Sequence, residues 1–257
     1  MNALLNLVMA LLAPLLLTPP PTTPSPPPKL VMAKKAPPVV PKKAPPDGPP
    51  AAENATAAVA PVSLDSTAKV LAGIQAYYAN AKDLKAKFTQ RYTYKVYDRT
   101  QVSSGKVFFK KPRMMRWDYQ KPVPKVFVAD GETLWIYEPE ENQVFKRDLK
   151  DSQLPLALTF MSGDGRLSEA FDATLVDGAA DVFTLELVPK KSAAEYQKLI
   201  LTVDRETYQV RESTVIDPVG NTNRVIFAEL TTNTGLPDRG FRFTPPKEVR
   251  VITEPGR

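Results

Sequence analysis

Gly105-Lys-Val-Phe-Phe-Lys-Lys-Pro-Arg-Met-Met-Arg-Trp-Asp-Tyr119 and, shortly after it, Asp130-Gly-Glu-Thr-Leu-Trp-Ile-Tyr137 decide how the folded part of this chain is built. Val107 and Phe109 share one parity, and Met115, Trp117 and Tyr119 share another across the Lys111-Pro112 break. Lys106, Phe108 and Lys110 alternate with the first set, Arg116 and Asp118 with the second. A period of two belongs to strands with one dry and one wet face. The dry face is rich in aromatic and thioether groups, so it has to be covered by the protein's own helices or by an apolar ligand.

Further strands follow outward from this centre. Phe88 to Tyr97 alternates, and Lys125 to Val128, Thr133 to Glu138 and Gln143 to Lys146 continue the series. Lys121-Pro122 and Asp130-Gly131 punctuate it, and Asp-Gly is a hairpin signal. Upstream, Val70, Ile74, Tyr77, Tyr78, Ala81 and Leu84 recur at helical spacing, predicting a helix capped by Asp65 or Ser66 and running to about Ala86. Downstream, Leu154-Pro-Leu-Ala-Leu-Thr-Phe-Met161 is apolar without alternation and fits a second helix with proline in its first turn. A short helix is expected near Arg166 to Phe171. Strands resume at Val182 to Val188, Lys198 to Val203, Val210 to Ile216, Thr222 to Leu230 and Phe241 to Thr244. The expected fold is α+β, an antiparallel sheet of about ten strands that twists and curls, with helices plugging its concave face.

The 257 residues divide by composition. Residues 1–17 are dominated by Leu, Ala, Val and Met and are read as a signal peptide, with an N-terminal anchor as the alternative. Residues 18–61 carry most of a Pro, Ala and Lys bias: 16 of the 27 prolines lie in the first 61 residues, so the rest has an ordinary globular composition. That bias favours an extended tether with no core of its own. Residues 62–257 are expected to form one domain.

The net charge is +6, and the tether's five lysines against Asp47 and Glu53 account for half of it. The remaining charges are interspersed, which argues against a nucleic-acid surface. The chain has no Cys and no His. Disulfides, thiol catalysis, histidine-based triads and the usual zinc sites are therefore excluded, as is a cysteine able to carry a lipid. No glycine-rich phosphate loop or nucleophile elbow occurs, so no metal, cofactor or catalytic residue is assigned and the chain is expected not to be an enzyme.

Four stretches in order carry a resemblance: Leu84-Lys-Ala-Lys-Phe-Thr-Gln90; Gly105 to Trp117; Asp130-Gly131 to Trp135-Ile-Tyr-Glu-Pro139; and Phe241-Arg-Phe-Thr-Pro-Pro246. From about residue 66 to 252 the chain resembles the periplasmic outer-membrane lipoprotein carriers, the LolA family. The resemblance implies a strongly curved, incomplete antiparallel β-barrel with helices covering the concave face as a lid, and a periplasmic chaperone, exported by its N-terminal signal and monomeric, whose hydrophobic cavity holds the acyl chains of lipoproteins. It implies cargo taken from an inner-membrane lipoprotein-releasing ABC transporter and passed to an outer-membrane lipoprotein acceptor. Val107, Phe109, Met115, Trp117, Trp135, Leu156, Leu158 and Phe160 are the expected acyl-chain contacts, the last three on the lid helix. Lys111 falls where the family usually has an arginine that latches the lid; lysine offers a flexible point donor in place of a planar fork. Met115 stands where an aromatic residue is common and remains apolar and adaptable.

The physical demand is plain. Exposing an acyl chain costs ~0.8 kcal/mol per methylene, so a triacylated cargo needs nearly complete cover. A cavity of Met, Phe, Trp and Leu supplies that without fixed polar contacts. Alternatives are the outer-membrane acceptor or a glycolipid-binding relative of the same fold, a lipid or glycan hydrolase, and a stress-sensing domain reading mislocalised lipoproteins. The missing cysteine counts against the acceptor, and the missing histidine against the hydrolase.

Overall fold

A computed structural model describes residues 64–149, 166–176, 179–191 and 196–253. The signal-peptide and tether readings (1–17 and 18–61), the lid segment Leu154 to Met161 and the turn after it lie outside those residues.

Twelve strands form one open, curved sheet with few helices. Helix α1 (Leu64–Asn80) precedes a meander of six: β1 (Asp83–Tyr94), β2 (Arg99–Lys110), β3 (Met114–Lys121), β4 (Lys125–Asp130), β5 (Thr133–Glu138) and β6 (Gln143–Asp148). After helix α2 (Leu167–Ala170) a second meander runs through β7 (Phe171–Val176), β8 (Val182–Pro189), β9 (Lys198–Asp204), β10 (Val210–Ile216) and β11 (Thr222–Thr232). The meanders join where β11 pairs antiparallel with β1 in the middle of the sheet. A 3-10 turn (Asp238–Phe241) and β12 (Arg250–Thr253) finish the chain, β12 lying parallel to β6 at one edge.

The α+β antiparallel reading holds, with three local corrections. Helix α1 begins at Leu64 and stops at Asn80, six residues before the expected end. Leu84 satisfies both a helical and an alternating period, and the strand takes it. From Leu84 on, Ala86, Phe88, Gln90 and Tyr92 are buried while Lys85, Lys87, Thr89 and Arg91 are exposed. Phe241 to Thr244 is not a strand among the described residues. Phe241 ends the 3-10 turn, and the chain after it crosses the back of the sheet. Strands β7 and β12 were not anticipated; β12 is four residues long with no buried position, leaving the sequence little alternation to show.

The core fills one face of the sheet. Helix α1 lays Val70, Leu71, Ile74 and Tyr78 against it, α2 adds Leu167, and the second meander adds Leu185, Leu187, Leu199, Leu201 and Val203. The Tyr78 hydroxyl accepts a bond from the Val210 amide (3.1 Å), tying the helix to β10. Gly73 lets α1 approach closely, since a Cβ there would lie 2.4 Å from the Tyr208 ring.

Candidate functional site

Register builds an apolar surface row by row. Leu84 pairs with Phe109, Phe109 with Met115, Met115 with Ala129 and Ala129 with Leu134. The next row runs Ala86, Val107, Trp117, Phe127, Ile136 across the same five strands. Directly paired residues share a sheet face, so the alternation in each strand becomes a continuous surface. Val107 has no exposed surface, and Phe109, Met115 and Trp117 are buried beside it.

Gly105 allows the aromatic cluster to close. A Cβ there would meet the Asp118 carbonyl oxygen at 2.0 Å and the Phe88 ring edge at 3.0 Å. Without it, Phe88 packs edge-on to both Trp117 and Tyr119, with ring centres 4.8 Å apart in each case. Phe109 and Phe227 complete the surround of Trp117 at 6.1 and 6.4 Å. The buried Trp117 Nε1 has no hydrogen-bond partner among the described residues. The surface therefore offers breadth and π contacts, with the Trp117 indole N–H as a buried donor among them.

Toward the far end of β1 to β6 the same face turns polar. Gln90 Nε2 donates to Asn223 Oδ1 at 2.9 Å, both side chains being buried. Lys125 and Glu138 form an ion pair of 2.9 Å with little exposure on either side. Gln143 Nε2 donates to the second Glu138 oxygen at 2.8 Å. Burial pushes the Tyr119 phenol up.

Lys111 sits at the corner between β2 and β3. Its Nζ donates to the Tyr78 carbonyl (2.9 Å) and the Ala79 carbonyl (2.7 Å) in the last turn of α1. Terminal carbonyls of a helix have no partner within it, and a cation there also suits the helix dipole. The side chain thus joins the end of α1 to the edge of the apolar surface.

The structure brings Val107, Phe109, Met115 and Trp117 onto one face and does not bring Trp135 there. Trp135 pairs with Val128, which shares the face of Arg116 and Phe108. It is half-buried on the back of the sheet, its ring 5.8 Å from that of Phe243 and under the Lys146 ammonium at 5.3 Å. Its neighbours Leu134 and Ile136 are the inward residues of β5. The sequence signal was available, since Leu134 and Ile136 alternate with Trp135 and Tyr137; ring size alone favoured the tryptophan. Leu84, Phe88 and Phe127 are further front-face residues that the sequence reading did not assign to the site. Leu156, Leu158 and Phe160 lie outside the described residues.

Residues 79–244 match the family described as outer membrane lipoprotein carrier protein LolA. An outer-membrane lipoprotein carrier protein of Chromobacterium violaceum is 27% identical over 199 residues, covering 77% of this chain and 95% of its own length. A carrier of the same description from Cupriavidus pinatubonensis is 32% identical over 186 residues, covering 70% of this chain and 86% of its own. Among solved structures, a LolA superfamily protein from Nitrosomonas europaea is 12% identical, with a TM-score of 0.39 over 69% of this chain and 97% of that one. The chain belongs to the LolA family of outer membrane lipoprotein carrier proteins.

Proposed function

We propose that this protein is a periplasmic, monomeric chaperone that holds the acyl chains of lipoproteins against the front face of its sheet. It receives them from an inner-membrane ABC transporter and yields them to an outer-membrane acceptor. The observation that carries the reading is the unbroken apolar surface across β1 to β5, centred on Val107, Phe109, Met115 and Trp117. Family membership supports the same reading. The role is binding and transfer, not catalysis.

In this account Lys111 is the latch. Two hydrogen bonds from one flexible side chain hold the C-terminal turn of α1, few enough to be exchanged when cargo enters. Each such bond contributes on the order of 1 kcal/mol, against the ~0.8 kcal/mol per methylene that cargo gains by leaving water. Acyl binding therefore outweighs the latch many times over. Leu156, Leu158 and Phe160 enter the proposal on sequence alone, as the lid residues that the family resemblance implies.

Native mass spectrometry of the protein isolated from its own cell envelope is expected to detect co-purifying acylated cargo. In a release assay from inner-membrane vesicles, Trp117→Arg and Leu158→Glu are expected to abolish lipoprotein release, while Lys111→Arg retains it. Leu158→Glu guards against a simple folding defect at Trp117, and circular dichroism checks both. Folded variants that release lipoprotein at the unaltered rate would sink the assignment.

A further inference from the structure

The turn joining β1 to β2 is made of Lys95, Val96, Tyr97 and Asp98. Val96 is 78% exposed and Tyr97 76%, the two most exposed large apolar residues among those described. Turn positions ordinarily carry Gly, Asn, Asp, Ser or Pro. A β-branched and an aromatic residue at the tip of a long hairpin bury nothing in the core, so folding alone does not account for them.

They are not scattered. The β10–β11 turn lies against the same tip: the Lys95 amide donates to Asn221 Oδ1 at 3.0 Å, and a Cβ on Gly220 would meet Lys95 Cδ at 2.6 Å. That turn presents Val219, 65% exposed. It is held in shape by Asp217, whose carboxylate accepts the Val219 amide (3.0 Å) and the Asn221 amide (2.8 Å). Just behind the tip, Val102 is also exposed and is the register partner of Arg91. Arg91, Lys95 and Arg99 surround this apolar group, and none forms an ion pair with a described residue; Asp98 is the one exposed carboxylate in the turn.

We propose that this tip is a membrane-contact element that seats Val96, Tyr97 and Val219 in the interface of an anionic lipid bilayer, with Lys95, Arg99 and Arg91 at the headgroups. Tyrosine is favoured at the membrane–water interface, and basic side chains near an anionic surface add to binding. The shape favours a bilayer over a protein partner. A convex tip of a few residues falls far short of the ~800 Å² per partner of a stable protein interface, whereas shallow insertion requires only a protruding apolar point. The inference is independent of what the interior holds.

The test is sedimentation of the full chain with protein-free vesicles of phosphatidylcholine, with and without phosphatidylglycerol. The expected result is binding that requires the anionic lipid. Val96→Asp/Tyr97→Asp is expected to weaken it about tenfold or more, and Lys95→Gln/Arg99→Gln to weaken it severalfold. The lysines of residues 18–61 are present in every variant, so the differences report the tip. Unaltered thermal unfolding shows that the exposed substitutions leave the fold intact. Wild-type chain that ignores anionic vesicles, or a Val96→Asp/Tyr97→Asp chain that binds as wild type does, overturns the proposal. Native mass spectrometry of cargo tests the carrier reading separately, so either can fail alone.

Discussion

The two faces of the first meander are covered in different ways. The back is crossed by the chain after β11, whose Phe243 packs on Trp135 and Tyr137 with ring centres 5.8 and 5.6 Å away. That segment is pinned by polar bonds along its length. The buried Asp83 carboxylate accepts the amides of Thr234 (2.7 Å), Gly235 (2.8 Å) and Leu236 (3.1 Å) and the Thr234 hydroxyl (3.1 Å). Lys110 donates to the Leu236 carbonyl, and Arg116 to the Gly240 carbonyl. On the front, the apolar side chains share one core with α1, whose C-terminal end is held by Lys111 and, through the Tyr78 hydroxyl, by β10. The back is thus secured by directional bonds to backbone, whereas the front relies on non-directional apolar contact, which in the proposed role cargo would replace.

The largest expected effect comes from unpinning the back. Asp83→Ala leaves three amides and a hydroxyl without their acceptor and is expected to cost about 3 kcal/mol in a urea unfolding series. A loss below about 1 kcal/mol would mean that the strap is not held there. Burial pushes this carboxyl up, but the bonds from Thr234, Leu236 and Gly235 more than reverse that and hold it below the usual range. The sign follows: a depressed folded pKa gives stability that is fully present above the unfolded value near ~3.9 and lost as pH falls through the folded value. Asp204 behaves likewise, lowered to about 2, with the Thr207 amide as the leading cause. The urea midpoint is therefore expected to fall as pH drops from about 4 toward 2, and part of that fall should vanish in Asp83→Asn.

Phe243→Ala strips the ring from the back and is expected to cost about 2 kcal/mol, since the ring is only half-buried. It should leave cargo release untouched, and a loss of release at constant stability would break the proposed division between the faces. Tyr78→Phe removes the acceptor of the Val210 amide and is expected to cost about 1.5 kcal/mol, measured by thermal unfolding. The smallest effect is assigned to Lys111→Met, about 1 kcal/mol or less. Its signature is local: hydrogen exchange should quicken in the last turn of α1 while β1 to β3 keep their protection. Uniform quickening across the sheet would make Lys111 a general stabiliser instead of a latch.

Much of this was legible along the chain. Alternation in Gly105 to Tyr119 located two strands and separated Val107, Phe109, Met115 and Trp117 from their wet neighbours, because period two is imposed by backbone geometry within a strand. Ordered motifs pointed to the family. Trp135 shows where local reading stops. Parity sorts residues within one strand, but which parity of β5 continues the face of β3 depends on the pairing through β4 and on what covers each side. Phe243 likewise looks like a strand residue, and only the tertiary structure makes it part of a strap, because its partners lie more than a hundred residues earlier. Leu84 fitted two periods, and the pairing of β1 with β2 and β11 settled which one it obeys. Local patterning was enough for ten of the twelve strands, their alternation and the composition of a greasy surface, all properties of neighbours in the chain. The tertiary structure alone decided which side faces α1, which side the strap closes and where Lys111 reaches, because these depend on contacts between residues far apart in sequence.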